Sequence, residues 1–266
     1  MKIVFSVVTF GHSIKDICPL LQSINGFRNL IDDVYLYINE NKSLRGYLLD
    51  QRCFYRIGVP VVYSRTENIG YGAANNRNFE LLDGCSDLLF VVCNPDITFT
   101  AKGLENLTAI FERGKGSLAC VAPLINNLKG NVQYSVKKEP TVLSLILGRC
   151  SWLRIIPILS RYDFWHKNMD ADYLNDEIQA NYLSGCFLVI HGSFYKRVGG
   201  FDENIFLHLE DADIVKRLSL IGRTIHSPSV YVVHGWARGS HRSFRQMFCL
   251  VKSSFQFFYK HGLKLY

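Results

Sequence analysis

The sequence predicts an α/β protein on a mixed, mostly parallel sheet flanked by helices. Short β-branched and aromatic runs alternate with segments of helical spacing through the first hundred residues. Those runs are apolar throughout, as strands buried on both faces must be. The strand-like character returns after residue 180, around one acidic helix.

"KIVFSVVTF" is the first strand. Ile14, Ile17, Leu21 and Ile24 then form a helical stripe, and Pro19 inside it predicts a helix that starts near that residue or kinks there. "VYLYI", "VPVVY" and "LLFVVC" follow as strands, with "GAANNRNFELL" a helix before the last of them. From about 125 to 180, Asn/Gly turns, an apolar run and the acidic "MDADYLNDE" give no assignment. Then come "NYLSGCFLVI", the turn "GGFDEN", a helix from near Glu210 to before Gly222, and the strand-like "SVYVV". One compact domain with a carboxyl-terminal appendage is expected.

With 48% apolar residues, the 266-residue chain can bury one large core or two small ones. "MKIVFSVVTFGHS" is too short for a signal-peptide core. The best membrane-span candidate, "TVLSLILGRCSWLRIIPIL", is broken by Arg149 and Arg154, so neither secretion nor a membrane span is expected. The eight cysteines form no CxxC pair and read as free thiols, not a zinc site or disulfide framework. The net charge of +7 is unevenly placed: no acid follows Asp213, but nine Lys and Arg do. That asymmetry suggests an anionic partner.

"IFLHLEDADIVKRL" sets three acids at the head of a helix whose apolar face is Ile214, Val215, Leu218 and Ile221. Asp211 shares that face, and an inward carboxylate at the mouth of a sheet suits a general base. Asp213 lines up with Lys216 and Arg217 as a surface pair, and the helix dipole accounts for it and for Glu210. Asp96, past "LLFVVCNP", is placed either to hold a divalent cation or to make an Asn-Pro-Asp turn. Gly70 and Gly72 precede a helix, but Asn75 stands where a dinucleotide fingerprint needs its third Gly. The loop can still offer N–H groups, with Arg77 nearby, to a phosphate. No GxxxxGK[ST] occurs. His234, just past a strand, is a structural residue or a metal ligand.

In order along the chain, "NIGYGAANNRNF", "NPDITF", "YLSGCFLVI", "GGFDENIFLHLEDADIVKRLSLIG" and "VVHGWARGS" resemble the family 2 glycosyltransferases with the GT-A fold, and within them the bacterial rhamnosyltransferases of O-antigen and capsule assembly. The resemblance runs from residue 2 to about 240 and is weakest in the middle segment. It implies a GT-A domain over 1–234, with a nucleotide-sugar half to about 100 and an acceptor half beyond, and a tail over 235–266. Thr9 and Phe10 match positions that line the nucleotide pocket. Glu40 stands where the family usually has a base-contacting Asp. Asn68, Gly70 and Asn76, with Arg77 beside them, match the nucleotide loop. Asp96 matches the last acid of the metal motif, whose first position here is Asn94. With His234 it would hold Mg²⁺ or Mn²⁺. Gly185, Asp202 and Glu210 match acceptor or sugar positions, and Asp211 matches the catalytic base.

The implied activity is inverting, metal-dependent transfer of a sugar, foremost L-rhamnose from dTDP-L-rhamnose, onto a lipid-linked surface glycan at the cytoplasmic membrane face. A UDP-hexose or UDP-N-acetylhexosamine donor, or a non-catalytic nucleotide-binding relative, are the alternatives. In the tail, Phe244, Met247, Phe248, Val251, Phe255 and Phe258 recur at helical spacing among Arg242, Arg245, Lys252 and Lys260. Such a basic amphipathic helix either lies on an anionic membrane surface or docks on the domain. No nucleic-acid-binding module accompanies it.

Overall fold

The computed structural model describes residues 1–28, 33–82, 84, 86–114, 116–235 and 244–266, the Arg245 side chain excepted. The first part contains β1 (Lys2–Phe10), α1 (Ile14–Arg28), β2 (Val34–Asn41), β3 (Val61–Thr66), α2 (Tyr71–Glu80) and β4 (Leu88–Cys93). Next come β5 (Ile97–Thr98), α3 (Ala101–Leu104), α4 (Leu107–Arg113) and β6 (Leu118–Asn127). The stretch without a sequence assignment folds as α5 (Val142–Arg149), a 3-10 turn (Ser151–Ile155), α6 (Pro157–His166) and β7 (Ile178–Gln179). The chain ends with β8 (Phe187–His191), α7 (Gly192–Arg197), α8 (Glu210–Ser219), β9 (Arg223–His234) and α9 (Phe244–His261).

Among the described residues these strands form one sheet in the order β3-β2-β1-β4-β8-β6-β9-β5, with β7 paired to β9. All six residues of β4 are buried, so the sheet is covered on both faces. Side chains alternate along each strand. Phe5, Leu89 and Val91 join Ile17, Leu20, Ile24 and Phe27 of α1 in one core. Val4, Phe90 and Val92 join Ile214, Val215 and Leu218 of α8 in the other. Each such side chain contributes roughly 1.5–3 kcal/mol on burial. Helix α1 begins ahead of Pro19: the Ser13 backbone N–H and hydroxyl both donate to Asp16 Oδ2 at 2.7 Å, closing its first turn.

β8 runs against both of its neighbours, β4 and β6. β1, β2, β3, β4, β6 and β9 share one direction. The carboxyl ends of those six strands therefore gather at one edge of the sheet together with the amino end of β8. In α/β sheets that edge is where ligands bind.

Of the two expectations for the tail, the structure shows docking on the domain. Phe257 and Ser253 of α9 are buried, and Phe257 packs with Tyr182, Leu209 and Ala212. Of the predicted stripe Phe258 packs against that cluster, whereas Phe244, Met247, Phe248, Val251 and Phe255 stay exposed. Arg242 and the end of "VVHGWARGS" lie outside the described residues. Among the described residues no helix is long and apolar enough to cross a membrane.

Candidate active site

The pairing Cys93↔Phe187 sets the residues after β4 beside those before β8. The Asn94 N–H donates to Cys186 O at 2.9 Å, and the Tyr71 hydroxyl lies 3.1 Å from Asn94 Oδ1 and 3.3 Å from Gly185 O. Tyr71 thus ties α2 to both turns. Gly185 in turn holds Asp211, donating its N–H to Oδ2 at 2.9 Å. A Cβ at 185 would stand 2.8 Å from Asp211 Cβ, so only glycine lets the carboxylate come this close. Cys186 follows Gly185 in the chain and is buried. Burial first, then the charges of Asp96 and Asp211, push its thiol up to about 11.

The turn into α8 fixes the aim of Asp211. His208 and Leu209 hold φ of 69° and 67°, left-handed values that cost a non-glycine residue about 1–3 kcal/mol each. Packing of the buried Leu209 against Tyr182 and Phe257 holds the turn in place. Beside Asp211, Glu210 is buried and its Oε2 has no hydrogen-bond partner. Burial and the Asp211 charge push the Glu210 carboxyl up to about 8, so it holds a proton at neutral pH.

Asp96 and His234 meet where β5 pairs with the end of β9. His234 Nε2 is 3.3 Å from Asp96 Oδ1, and His234 Nδ1 is 3.0 Å from Gln133 Oε1. Because Gln133 Oε1 can only accept, Nδ1 is the donor in that contact, and Nε2 is the nitrogen that faces the carboxylate. One carboxylate oxygen and one imidazole nitrogen suit Mn²⁺, or Mg²⁺ with more oxygen ligands. Among the described residues no third His, Cys, Asp or Glu completes a protein-only metal cage. A diphosphate and water would therefore fill the other positions.

Phe10 is 45% exposed at the end of β1, whereas Thr9 is buried and its hydroxyl has no partner. Asn68 is half-buried in the loop before Gly70. Other expected ligands make contacts within the fold. Glu40 accepts from the N–H groups of Leu48 and Leu49 and from the Tyr63 hydroxyl, and is 1% exposed. The Asn76 amide donates to Phe201 O and Glu203 and accepts from Tyr195 and the Phe201 N–H. Gly70 serves close packing, since a Cβ there would meet Phe206 O at 2.5 Å. Arg77 is exposed and pairs with Glu80 at 2.7 Å.

Asp202 binds Lys260 of α9 at 2.7 Å. Asp213 is no surface residue: it is fully buried, with Arg217 at 2.6 Å and Lys260 and His261 each at 2.8 Å. Burial opposes its charge, but these donors hold the carboxyl below its usual range. Lys216, its other expected partner, goes to Glu139. Tyr71 and Gln133 had no signal of their own. One was read only as part of a glycine loop, and the other sits in the unassigned segment.

Comparison with known structures places the fold. A Pyrobaculum calidifontis mannosyltransferase, solved with GDP-Man and Mn²⁺, matches 92% of this chain and 59% of its own at a TM-score of 0.61 and 14% identity. The chain has the GT-A fold. In sequence it is 30% identical over 190 residues to the N-acetylglucosaminyl-diphospho-decaprenol L-rhamnosyltransferase of Mycobacterium tuberculosis, covering 66% of this chain and 58% of that one. It is 25% identical over 249 residues to rhamnosyltransferase WbbL of Escherichia coli K12, covering 90% and 84%. The chain thus spans under two thirds of the mycobacterial relative. No family model matches it. The resemblance to family 2 glycosyltransferases read from the sequence stands on these relatives and on the fold.

Proposed function

We propose that the chain is an inverting glycosyltransferase that moves a sugar from a nucleotide-sugar donor to a hydroxyl of a lipid-diphosphate-linked glycan. The observation that carries this reading is Asp211, held by the Gly185 N–H at the sheet's ligand edge. The acceptor hydroxyl gives its proton to Asp211 as its oxygen bonds to the anomeric carbon. On the opposite face the bond from that carbon to the diphosphate breaks, and the nucleoside diphosphate leaves. Asp96 and His234 would hold Mg²⁺ or Mn²⁺, whose charge offsets that of the leaving diphosphate. Phe10 offers a ring to the base, and the unpartnered Thr9 hydroxyl is a donor at the same strand end.

The names of the relatives support L-rhamnose, carried as dTDP-L-rhamnose, as the donor sugar. With a β-linked donor the product is an α-L-rhamnoside. Melting curves with dTDP, UDP and GDP, each with and without Mn²⁺, test this. A ligand at about a hundred times its Kd raises stability by roughly 2.7 kcal/mol. The expected result is a Mn²⁺-dependent shift selective for dTDP that Asp96→Ala removes. A shift selective for UDP would replace the donor, and none with any nucleotide would end the reading.

The outer face of α9 gives the enzyme its place at an anionic membrane. Phe244, Phe248, Phe255 and Tyr259 are exposed there, on a carboxyl-terminal region that bears no acid after Asp213. The protein should sediment with phosphatidylglycerol vesicles and not with phosphatidylcholine vesicles. Equal recovery with both would remove the electrostatic part of the proposal.

A further inference from the structure

A cavity of about 180 Å³ lies among α5, α6 and α9, lined by Lys137, Arg149, His166, Lys167, Tyr182 and Leu250 among others. Its charges do not balance. Asp163 is the sole carboxylate among the described lining residues, and it already has Lys167 at 2.6 Å and Arg154 at 3.0 Å. Lys137 stands over the Tyr182 ring, 4.9 Å from its centroid, and Arg149 reaches toward His208 at 3.5 Å. The positive groups work against one another. Burial lowers the Lys167 pKa; Asp163 opposes that shift, and Arg154 and Lys137 add to it. His166 is pushed to about 4 by burial, with Lys137 and Lys167 adding to the effect, and is neutral. An anion entering the cavity would relieve that repulsion.

The cavity is also joined to the active site. Tyr182 forms part of its wall and packs with Leu209 and Ala212, the residues on either side of Glu210 and Asp211. Gly185, which holds Asp211, comes three residues later, at most about 10 Å along extended chain. None of the expected donor-site residues Thr9, Asp96 and His234 lines the cavity. On its other side Leu250 belongs to α9, whose next residue, Val251, is exposed.

We propose that this cavity seats the diphosphate of the acceptor, with the acceptor sugar directed toward Asp211 and the lipid chain leaving along α9. The proposal rests on the lipid-diphosphate acceptor of the preceding section and adds where that group binds. Several cations, one of them a guanidinium able to grip two phosphate oxygens, fit a diphosphate better than a single carboxylate.

Calorimetric titration of farnesyl diphosphate and of inorganic pyrophosphate, without metal or nucleotide, tests it in wild type, Lys137→Ala and Arg149→Ala. Nucleotide titration with Mn²⁺ on the same proteins reports the donor site and checks folding. Farnesyl diphosphate should bind more tightly than pyrophosphate. Each variant should weaken it at least tenfold while holding nucleotide affinity within twofold. Unchanged farnesyl diphosphate affinity in both variants overturns the proposal. So does parallel loss of nucleotide affinity, which would put the probe in the donor site. Equal affinity for the two probes would make the cavity a seat for free anions and overturn the acceptor assignment. A wild type that binds farnesyl diphosphate at these residues but no nucleotide would end the transferase reading and leave the diphosphate seat standing.

Discussion

The α2 region and the head of α8 both place polar residues beside the ligand edge of the sheet, but they use them differently. In α2 most of the polar groups are consumed by the fold, and Asn78 Oδ1 is the buried atom left without a partner. Asn76 makes four hydrogen bonds to the 195–203 region, and Asn75 and Asn78 bracket the Ser6 hydroxyl at 2.6 and 2.9 Å. At the head of α8 capacity is left over, since Glu210 keeps an oxygen without a partner and Asp211 stands beside a glycine. A buried Asn in a family motif can therefore be structural glue.

The contrast is open to test at three residues. Asp211→Asn should reduce transfer by roughly 10²- to 10⁴-fold, the usual worth of a general base, and leave nucleotide affinity intact. Paired turnover and calorimetric measurements read both, and a variant that still turns over would remove Asp211 from the mechanism. Asn76→Ala should cost roughly 3 kcal/mol by stranding buried partners, seen as a lower urea midpoint. Nucleotide affinity of the folded fraction should not change. If affinity falls tenfold, Asn76 is a ligand and the contrast fails.

The third test is at Glu210. Its carboxyl is raised by burial and by Asp211, so the fold keeps a proton that the unfolded chain releases near 4.5. Stability therefore falls as pH rises from about 4.5 to about 8, by at most about 1.4 kcal/mol per pH unit. Glu210→Gln should flatten that slope in denaturant midpoints taken across the range. An unchanged slope would assign it to other groups. Asp213, three residues on and held below its usual value, acts in the opposite sense: its contribution is lost as pH falls through its folded-state pKa.

Much of this arrangement was legible in the sequence. Apolar runs gave β1, β2 and β4, and helical spacing placed Asp211 on the inward face of α8. The same spacing misread Asp213, because Lys260 and His261 lie 47 and 48 residues further on and only tertiary packing brings them to it. The middle segment was silent for a physical reason. α5 buries only Leu147, and α6 buries Asp163 and His166 in place of an apolar stripe. Gln133 and the cationic cavity come from that silent stretch. The sequence pattern of the nucleotide loop suggested ligands, yet it cannot say whether an amide faces a base or the protein's own backbone.

The reversed strand β8 also bears on how the chain reaches this state. β1 pairs with β2 across about thirty residues, whereas Leu89 of β4 waits for His191, about a hundred residues later. Contacts so distant in sequence close slowly. During synthesis β4, apolar along its whole length, is thus an open sheet edge until β8 has emerged, a risk for edge-to-edge aggregation. Chains ending before Phe187 should pellet where the full chain stays in solution. Asp211 and His234 follow β8 in the chain, so the candidate site is completed only after that edge has closed.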